Sequence, residues 1–430
     1  MDVQENSWSI LRRWSLAKAQ RTCNTQLITN RDERKALKMK IDSVDLFYLR
    51  MPEVLDIGDG SQDSLLCRVT SNGHVGWGEA VCSPMVGITS WITPMSHSGC
   101  HPVIDSVLGQ RLDSPEDIRQ VYRNVRQNSF YGLLQSDLLI SGIEIALWDC
   151  LGRAKEEPIW KLLGYKKSER KLPYASVLFG DTAAETKQKA VDMRNQGFKA
   201  IKFGWGPFGT TTVEDDAAHI HAAREGIGSD GYLMIDAGTV FKDDIEAAAK
   251  RLPALAEANV YWYEEPFDGY ALAEYGELAK RTPKVKLAGG EGAHNAFQAE
   301  QLIDYGGVGF IQIDTGYVGG IGNAYRVAQY ATSKGVQYVN HTFTSQSALS
   351  SSLQPFAGLK DSNITEYPME PKLLCQELTL DRIEVGADGM IEAPDAPGTG
   401  VTMNTAAVKK YLVEAEIKVK GKVLYSTPTV

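Results

Sequence analysis

Eight short apolar runs, separated by longer segments of mixed composition, dominate the middle of this 430-residue sequence. Most of the runs are continuously apolar rather than alternating, which is typical of strands that are covered on both faces. The runs occupy residues 174–179, 199–204, 232–237, 260–265, 285–291, 309–314, 336–341 and 363–367. Eight strands that alternate with helices predict a closed parallel (β/α)8 barrel of the TIM type, and a doubly wound open sheet is the alternative.

The segments between the runs have helical patterns. The stretch Thr182-Ala-Ala-Glu185 predicts a capping box at the start of the helix that follows the first run. Apolar residues recur at helical spacing between 241 and 256. Pro253 lies inside that pattern, and we expect it to kink or end the helix because proline cannot donate a backbone hydrogen bond.

Composition narrows the functional classes. The net charge of −9 argues against general nucleic-acid binding, which needs clustered Lys and Arg. The six cysteines form no CxxC pair, which favours a reducing, cytoplasmic compartment. No apolar run approaches the roughly 18 residues that a membrane span needs, so no membrane association is expected. Residues 1–37 have no apolar signal core, and we interpret them as a surface extension, with a targeting peptide as the alternative.

Ionisable residues stand at or near the C-terminal ends of the second to eighth runs. They are Lys202, Asp236, Glu264, Glu291, Asp314, His341 and Glu366. A single acid at a strand end commonly caps the next helix. In a closed parallel barrel, however, side chains at these seven positions converge on one central site. The pattern therefore predicts a catalytic site at this end of the barrel.

Three of these residues, Asp236, Glu264 and Glu291, are carboxylates on consecutive strands. Carboxylates that point at one centre repel one another and stay ionised only if a cation lies among them. Ligation by oxygen alone favours Mg²⁺ over zinc. The sequence has neither a GxSxG nucleophile elbow nor a P-loop, which disfavours both a nucleophilic hydrolase and a phosphate-binding loop for a nucleotide.

The same three residues carry a family resemblance. Asp236 in "MIDAG", Glu264 in "WYEEP" and Glu291 in "AGGEG" resemble the metal ligands of the enolase superfamily, in its mandelate racemase/muconate lactonizing enzyme subgroup. The first glutamate of "EEP" matches the family ligand, so Glu264 is preferred over Glu265. The resemblance implies Mg²⁺ as the cofactor.

The remaining strand-end residues fit the mandelate racemase branch. Asp314 in "IQIDTGYVGG" and His341 in "VNHTFTS" are similar to its His-Asp dyad, and Glu366 falls where an acid lies near the substrate carboxylate. The resemblance implies that Mg²⁺ binds a substrate carboxylate, a base removes the α-proton, and Mg²⁺ and a cation stabilise the enediolate. His341 would be the acid/base, Asp314 would fix its tautomer, and Lys202 would polarise the carboxylate or act as base.

One position departs from the family pattern. Many members carry Lys-x-Lys at the end of the second strand, and "GFKAIKFG" puts Lys202 on the first lysine and Gly204 on the second. Glycine cannot move a proton, so the two-sided transfer of a racemase or epimerase is disfavoured. The "GWGPFG" turn also resembles acid-sugar dehydratase members. The resemblance therefore implies dehydration of a sugar acid (aldonate or aldarate) to a 2-keto-3-deoxy acid. The alternatives are a cycloisomerase for a sugar lactone or anhydro-sugar acid, an epimerase, and a non-catalytic ligand-binding protein.

The resemblance also implies a domain plan. Residues 76–80, 141–164 and 396–401 are similar to parts of the family's α+β N-terminal capping domain, its junction with the barrel and its C-terminal return. The predicted divisions are an extension at 1–37, a capping domain at 38–170 completed by 371–430, and a catalytic barrel at 171–370.

Substrate contacts are expected from the capping loops 53–63 and 82–101 and from the barrel mouth. The residues proposed for this role are Trp91, His97 and His294. The expected partner is a small-molecule carboxylate, and the resemblance implies a homo-oligomer.

Overall fold

The computed structural model describes residues 38–129 and 136–430; the predicted extension at 1–37 lies outside the described residues. The N-terminal part is an antiparallel three-stranded sheet in the order β1-β2-β3, covered by helices. Its strands are β1 (Ser43–Arg50), β2 (Asp63–Ser71) and β3 (His74–Ala80). Its helices are α1 (Pro84–Ile92), α2 (Val103–Val107), α3 (Pro115–Asn128), α4 (Ser136–Lys155) and α5 (Ile159–Leu162).

Eight parallel strands follow and form the barrel, which confirms the predicted fold class. The strands are β4 (Leu172–Leu178), β5 (Ala200–Gly204), β6 (Tyr232–Asp236), β7 (Trp262–Glu264), β8 (Lys286–Gly289), β9 (Phe310–Asp314), β10 (Gln337–His341) and β11 (Ile364–Pro368). The helices of this part are α6 (Ala183–Asn195), α7 (Val213–Ile227), α8 (Ile245–Ala249), α9 (Leu252–Glu257), α10 (Leu272–Arg281), α11 (Ala296–Tyr305), α12 (Ile321–Lys334) and α13 (Gln346–Leu353).

Local sequence signals position two of these helices as predicted. Thr182 and Glu185 form both hydrogen bonds of a capping box at the start of α6, which confirms that prediction. The helical segment after β6 is divided into α8 and α9, and Pro253 lies in the first turn of α9. Proline is tolerated there because first-turn amides have no helical acceptor.

The barrel closes through a side chain rather than through a backbone ladder. The hydrogen-bonded order runs from β10 through β9 to β4 and then β11, which leaves β10 and β11 as its two ends. Asn340 spans these ends: its amide oxygen accepts from Glu366 N at 2.8 Å and from Thr365 Oγ1 at 2.6 Å. Its amide nitrogen donates to Glu366 O at 3.5 Å. The doubly wound open sheet is therefore excluded.

Strand alternation builds the floor of the site. Successive residues of a strand point to opposite faces, so residues two apart share the barrel interior. The lower interior holds a buried apolar cluster that includes Tyr174, Ala200, Met234, Trp262, Phe310, Val339 and Ile364. Two residues further along five of these strands stand Lys202, Asp236, Glu264, His341 and Glu366. The apolar cluster thus closes the barrel below a layer of ionisable groups.

The C-terminal segment packs against the N-terminal sheet. It contains α14 (Leu373–Glu377), α15 (Thr405–Tyr411), β12 (Glu416–Val419) and β13 (Lys422–Ser426). Leu374 and Val408 share a buried cluster with Phe47 and Leu66 of the first two strands. Among the described residues, no helix has the length and apolar character needed to cross a membrane.

A buried lysine at the opposite end of the barrel makes stability depend on pH. Lys171 is 1% exposed, and its Nζ donates to Leu359 O at 2.6 Å. Burial lowers the pKa of Lys171 to about 7, with the charge of Glu169 opposing this. The unfolded chain therefore binds more protons than the folded one between pH 7 and about 10, so the free energy of unfolding rises with pH there, by at most about 1.4 kcal/mol per unit.

Urea unfolding of Lys171→Met at pH 7, 8 and 9 tests this. We expect the variant to lose most of the rise in stability with pH, whereas Lys199→Met, which removes an exposed lysine, keeps it. Equal pH slopes for wild type and Lys171→Met would contradict this account.

Candidate active site

The three carboxylates expected to bind a metal lie together at the C-terminal end of the barrel. Asp236 and Glu264 end β6 and β7 and are directly paired in the strand register, whereas Glu291 lies two residues beyond β8. One oxygen of each carboxylate lies within 4.8 Å of the others. A set of three carboxylate oxygens fits a hard divalent cation, and Mg²⁺ is the common ion of this type.

The electrostatics of the triad also fit a cation. Burial raises the pKa of Glu264 to about 8, although the Lys202 ammonium opposes the shift and Asp236 adds to it. Burial also raises the pKa of Glu291, with His341 opposing. A divalent cation among these carboxylates would offset both the loss of water and the mutual repulsion.

Lys202 occupies the centre of the acidic cluster. Its side chain is 4% exposed, and its Nζ lies 2.5 Å from Glu264 Oε1, 3.1 Å from Glu366 Oε1 and 3.5 Å from Asp236 Oδ2. Burial disfavours the charged form of Lys202, but the negative charges of Glu264 and Glu366 outweigh this effect and hold the pKa of Lys202 well above its usual value. Lys202 is therefore a fixed ammonium, suited to stabilising negative charge.

The His-Asp pair forms on the neighbouring strands β9 and β10. His341 Nδ1 lies 2.8 Å from Asp314 Oδ2, and the two residues are register partners. Gly316 N donates to the other Asp314 oxygen at 2.7 Å, which fixes the carboxylate. With Nδ1 engaged by Asp314, the Nε2 atom of His341 is the one left for proton transfer; it lies 3.4 Å from Glu291 Oε2.

Glu366 completes the layer at the seam of the barrel. It is fully buried, and its Oε2 accepts from Thr342 N at 2.6 Å. Burial raises the pKa of Glu366, but the charges of Lys202 and His341 outweigh burial and bring it below its usual value. Glu366 is therefore ionised and holds Lys202 in place.

These groups face a cavity of about 170 Å³ at the barrel mouth. Among the described residues, its ionisable lining consists of Lys202, Asp236, Glu291, Asp314, His341 and Glu366. This ionisable lining comprises four carboxylates, the paired Lys202 and one histidine, His341. The cavity therefore offers one histidine acid/base within the described part of the chain.

Gly204 leaves the position of the second family lysine without a side chain. A Cβ atom on Gly204 would lie 2.8 Å from Asp236 Oδ2, closer than non-bonded atoms approach. Phe203 cannot substitute, because it is packed in the core outside the barrel. Glycine at 204 thus leaves room for the Asp236 carboxylate and supplies no proton donor or acceptor.

The three residues expected to contact substrate do not line the cavity. Trp91 is 4% exposed because it packs into the core of the N-terminal part. His97 is exposed on the loop after α1, where its Nδ1 accepts from Gly99 N at 3.1 Å. His294 stacks on Tyr270 and makes a tilted ring contact with Tyr317. From the expected capping loops, Gly58 and Gly60 reach the cavity wall instead.

The side chains of the site that the sequence did not predict include Trp262 and Ser176. Trp262 Nε1 donates to Glu264 Oε2 at 2.8 Å, and Ser176 lines the cavity as the register partner of Lys202. Side-chain alternation along β7 predicts the position of Trp262, because Trp262 lies two residues before the expected metal ligand Glu264 and therefore on the same face of the strand.

Two protein-family models match this chain. A family model described as enolase C-terminal domain-like matches residues 185–407, and the mandelate racemase/muconate lactonizing enzyme N-terminal domain matches residues 45–164. The chain belongs to the mandelate racemase/muconate lactonizing enzyme family of the enolase superfamily. This confirms the resemblance on which the site residues were assigned.

Several members of the family are similar over most of the chain. D-galactarolactone cycloisomerase of Agrobacterium fabrum is 29% identical, with 79% of this chain and 88% of that protein covered. Arabinonate dehydratase of Saccharolobus solfataricus is 27% identical, covering 80% and 88%. The crystal structure of a predicted mandelate racemase from Rhodobacter sphaeroides is 55% identical with a TM-score of 0.87, covering 91% and 100%.

Proposed function

We propose that this family member is a Mg²⁺-dependent hydro-lyase that dehydrates a sugar acid, an aldonate or aldarate, to a 2-keto-3-deoxy acid. The observation that carries the proposal is the single His341–Asp314 dyad in the cavity, with glycine where a second lysine would stand. Dehydration in which the proton and the hydroxyl leave from the same face needs an acid/base on one side of the substrate only. Similarity to an arabinonate dehydratase supports the same reaction class.

Asp236, Glu264 and Glu291 would hold Mg²⁺, which supplies positive charge beside the substrate carboxylate when it is bound. The Lys202 ammonium adds a second fixed charge at the place where the enediolate gains its negative charge. This charge matters because the α-proton of a carboxylate is very weakly acidic. Trp262 and Glu366 keep Glu264 and Lys202 in position.

His341 would carry the proton transfers. Burial opposes the charge of His341, but Glu291 and Glu366 outweigh it and raise its pKa well above its usual value; a cation held by Glu291 would offset that effect and favour the neutral form. In the neutral form Nδ1–H donates to Asp314, so the lone pair on Nε2 removes the α-proton and the histidine becomes an imidazolium. The enediolate then expels the β-hydroxyl, and Nε2 returns the proton so that water leaves. The resulting enol tautomerises to the 2-keto-3-deoxy acid, and His341 is neutral again.

A cycloisomerase is the second candidate. Opening or closing a lactone or anhydro ring passes through the same enediolate and needs no second base, so Gly204 is compatible with it. Similarity to D-galactarolactone cycloisomerase favours this alternative. An epimerase needs an acid/base on both faces and is disfavoured.

A substrate screen tests the proposal. Aldonic and aldaric acids of three to six carbons are incubated with protein and Mg²⁺, and 2-keto acids are measured as semicarbazones. We expect keto acid from at least one acid with wild type and none with His341→Asn. Conversion of lactones without any keto acid from open-chain acids would replace the proposal by the cycloisomerase.

A further inference from the structure

We propose that Trp205 sets the size of the substrate by forming the wall of the cavity opposite His341, and that it restricts the site to short hydroxy acids of three or four carbons. The inference rests on the proposed function for the position of the substrate carboxylate. It assigns a specificity role to a residue just beyond β5 in the turn 205–209.

The topology places Trp205 across the barrel from His341. In a ring of eight strands, the strand four places away is diametrically opposite. β6 stands four places from β10 in the observed order, and β5 stands four places from β9. Trp205 follows β5, and its indole lies against Gly238, which follows β6. The indole therefore faces the His341–Asp314 dyad from the far wall.

Two glycines hold the indole from opposite parts of the chain. A Cβ on Gly58 would lie 2.9 Å from Trp205 Cε3, and one on Gly238 would lie 3.0 Å from Trp205 Cε2. Gly58 belongs to the loop before β2, whereas Gly238 belongs to the barrel. Neither position leaves room for a side chain while the indole is there. Trp205 is thus the point at which the N-terminal loop and the barrel meet over the cavity.

The backbone of Trp205 is strained, and the side chain is half-exposed. Its φ is 57°, a left-handed conformation that bulky residues rarely adopt. The residue is 47% exposed, so burial in a core does not account for this conformation. Strained residues of this kind concentrate at ligand sites because the surrounding structure holds them there. The strain is consistent with an indole placed for contact with a ligand.

The volume and chemistry of the cavity point to a compact ligand. Its 170 Å³ is somewhat larger than the roughly 150 Å³ of a cavity that holds benzene. It therefore suits a ligand somewhat larger than benzene, in the range of glycerate with about seven and erythronate with about nine non-hydrogen atoms. Neutral polar side chains in its described lining come only from Ser176 and Thr344. The apolar lining is Val81, Val177, Leu178, Trp205 and Phe343. The proposed function engages the ionisable lining with the metal, the substrate carboxylate and the proton transfers, so an extended chain with four or five hydroxyls would find few further hydrogen-bond partners there.

Calorimetry with a ladder of acids tests the proposal without depending on catalysis. Glycerate, erythronate, xylonate and gluconate are titrated in the presence of Mg²⁺ into wild type, Trp205→Ala and Trp205→Gly, each in a His341→Asn background so that no acid is converted. Trp205→Gly suits the left-handed backbone and guards against misfolding of the alanine variant. Tyr232→Ala is the matched control, because Tyr232 is 44% exposed and lies at the other end of the barrel.

We expect wild type and Tyr232→Ala to bind erythronate at least about tenfold more tightly than gluconate. In the two Trp205 variants, the affinities for these two acids should differ by no more than about threefold. A wild type that binds gluconate as tightly as erythronate would overturn the proposal, as would a preference that survives both Trp205 substitutions. Size selection in binding without keto acid from any substrate would uphold the role of Trp205 and refute the proposed dehydration. Keto acid formation together with the same size preference in wild type and both Trp205 variants would uphold the proposed dehydration and refute the role of Trp205.

Discussion

Replacing His341 by asparagine is expected to lower kcat for keto acid formation by about four orders of magnitude. The proposed mechanism uses Nε2 of His341 twice, once to remove the α-proton and once to return it to the leaving hydroxyl. Asparagine keeps a polar group beside Asp314 but cannot transfer protons. KM should change by no more than about threefold, because in the proposed mechanism Mg²⁺ and Lys202, not His341, would hold the substrate carboxylate.

Two controls separate loss of chemistry from loss of structure. His219→Asn removes a buried histidine that is hydrogen-bonded to Thr186 at 2.8 Å and lies outside the cavity, so it should retain activity. The His341→Asn variant should still bind Mg²⁺ in calorimetry. If His341→Asn kept more than a tenth of the wild-type kcat, the dyad would not be the acid/base.

Replacing Glu291 by glutamine is expected to weaken Mg²⁺ binding by at least about 100-fold and to abolish activity at low millimolar Mg²⁺. The change removes one of the three negative charges within 4.8 Å and leaves the side-chain volume unchanged. Calorimetry measures the affinity directly. In thermal unfolding, Mg²⁺ should raise the Tm of wild type but not that of Glu291→Gln, because only a bound cation stabilises the folded state.

Glu265→Gln is the matched control for the metal site. Glu265 directly follows the ligand Glu264, and its Oε1 accepts from Gly290 N at 3.1 Å. Burial holds the pKa of Glu265 well above its usual value, with the charges of Glu291 and Asp236 adding to it. Mg²⁺ affinity should stay within about threefold of wild type. A loss equal to that of Glu291→Gln would show that Glu265, not Glu264, is the ligand.

The barrel and its ring of ionisable groups could be predicted from the sequence because both depend on strong, short-range patterns. Buried parallel strands leave continuous apolar runs, and strand ends recur once per strand-helix unit. Each predicted run overlaps one observed strand, although β4 begins two residues before its run and β11 ends one residue after its run. β8 ends at Gly289 and leaves Glu291 in the following loop. Strand ends are least certain from sequence because the loop backbone, not residue type, decides where pairing stops.

Contacts that depend on packing between distant segments could not be predicted. Trp91 has the composition of a substrate contact, but the surrounding core buries it. The proposed role of Trp205 could not be predicted from the residues around it in the sequence. Its indole is held at the cavity wall by Gly58 and Gly238, which are distant from it along the chain. The role of Asn340 in closing the barrel likewise depends on β11, which follows 24 residues later in the numbering, at Ile364. Side-chain alternation on β7 could have identified Trp262.

Proton NMR of the Mg²⁺-loaded enzyme in D2O, with an acid that it converts, tests the central claim of one-sided proton transfer most directly. We predict that the 2-keto-3-deoxy acid accumulates, and that any deuterium at C2 of recovered substrate appears with the original configuration only. Return of a proton by His341 can restore that configuration but cannot invert it. Accumulation of the deuterated C2 epimer at a rate comparable with dehydration would contradict the claim, since it requires a second acid/base on the face that Gly204 leaves empty.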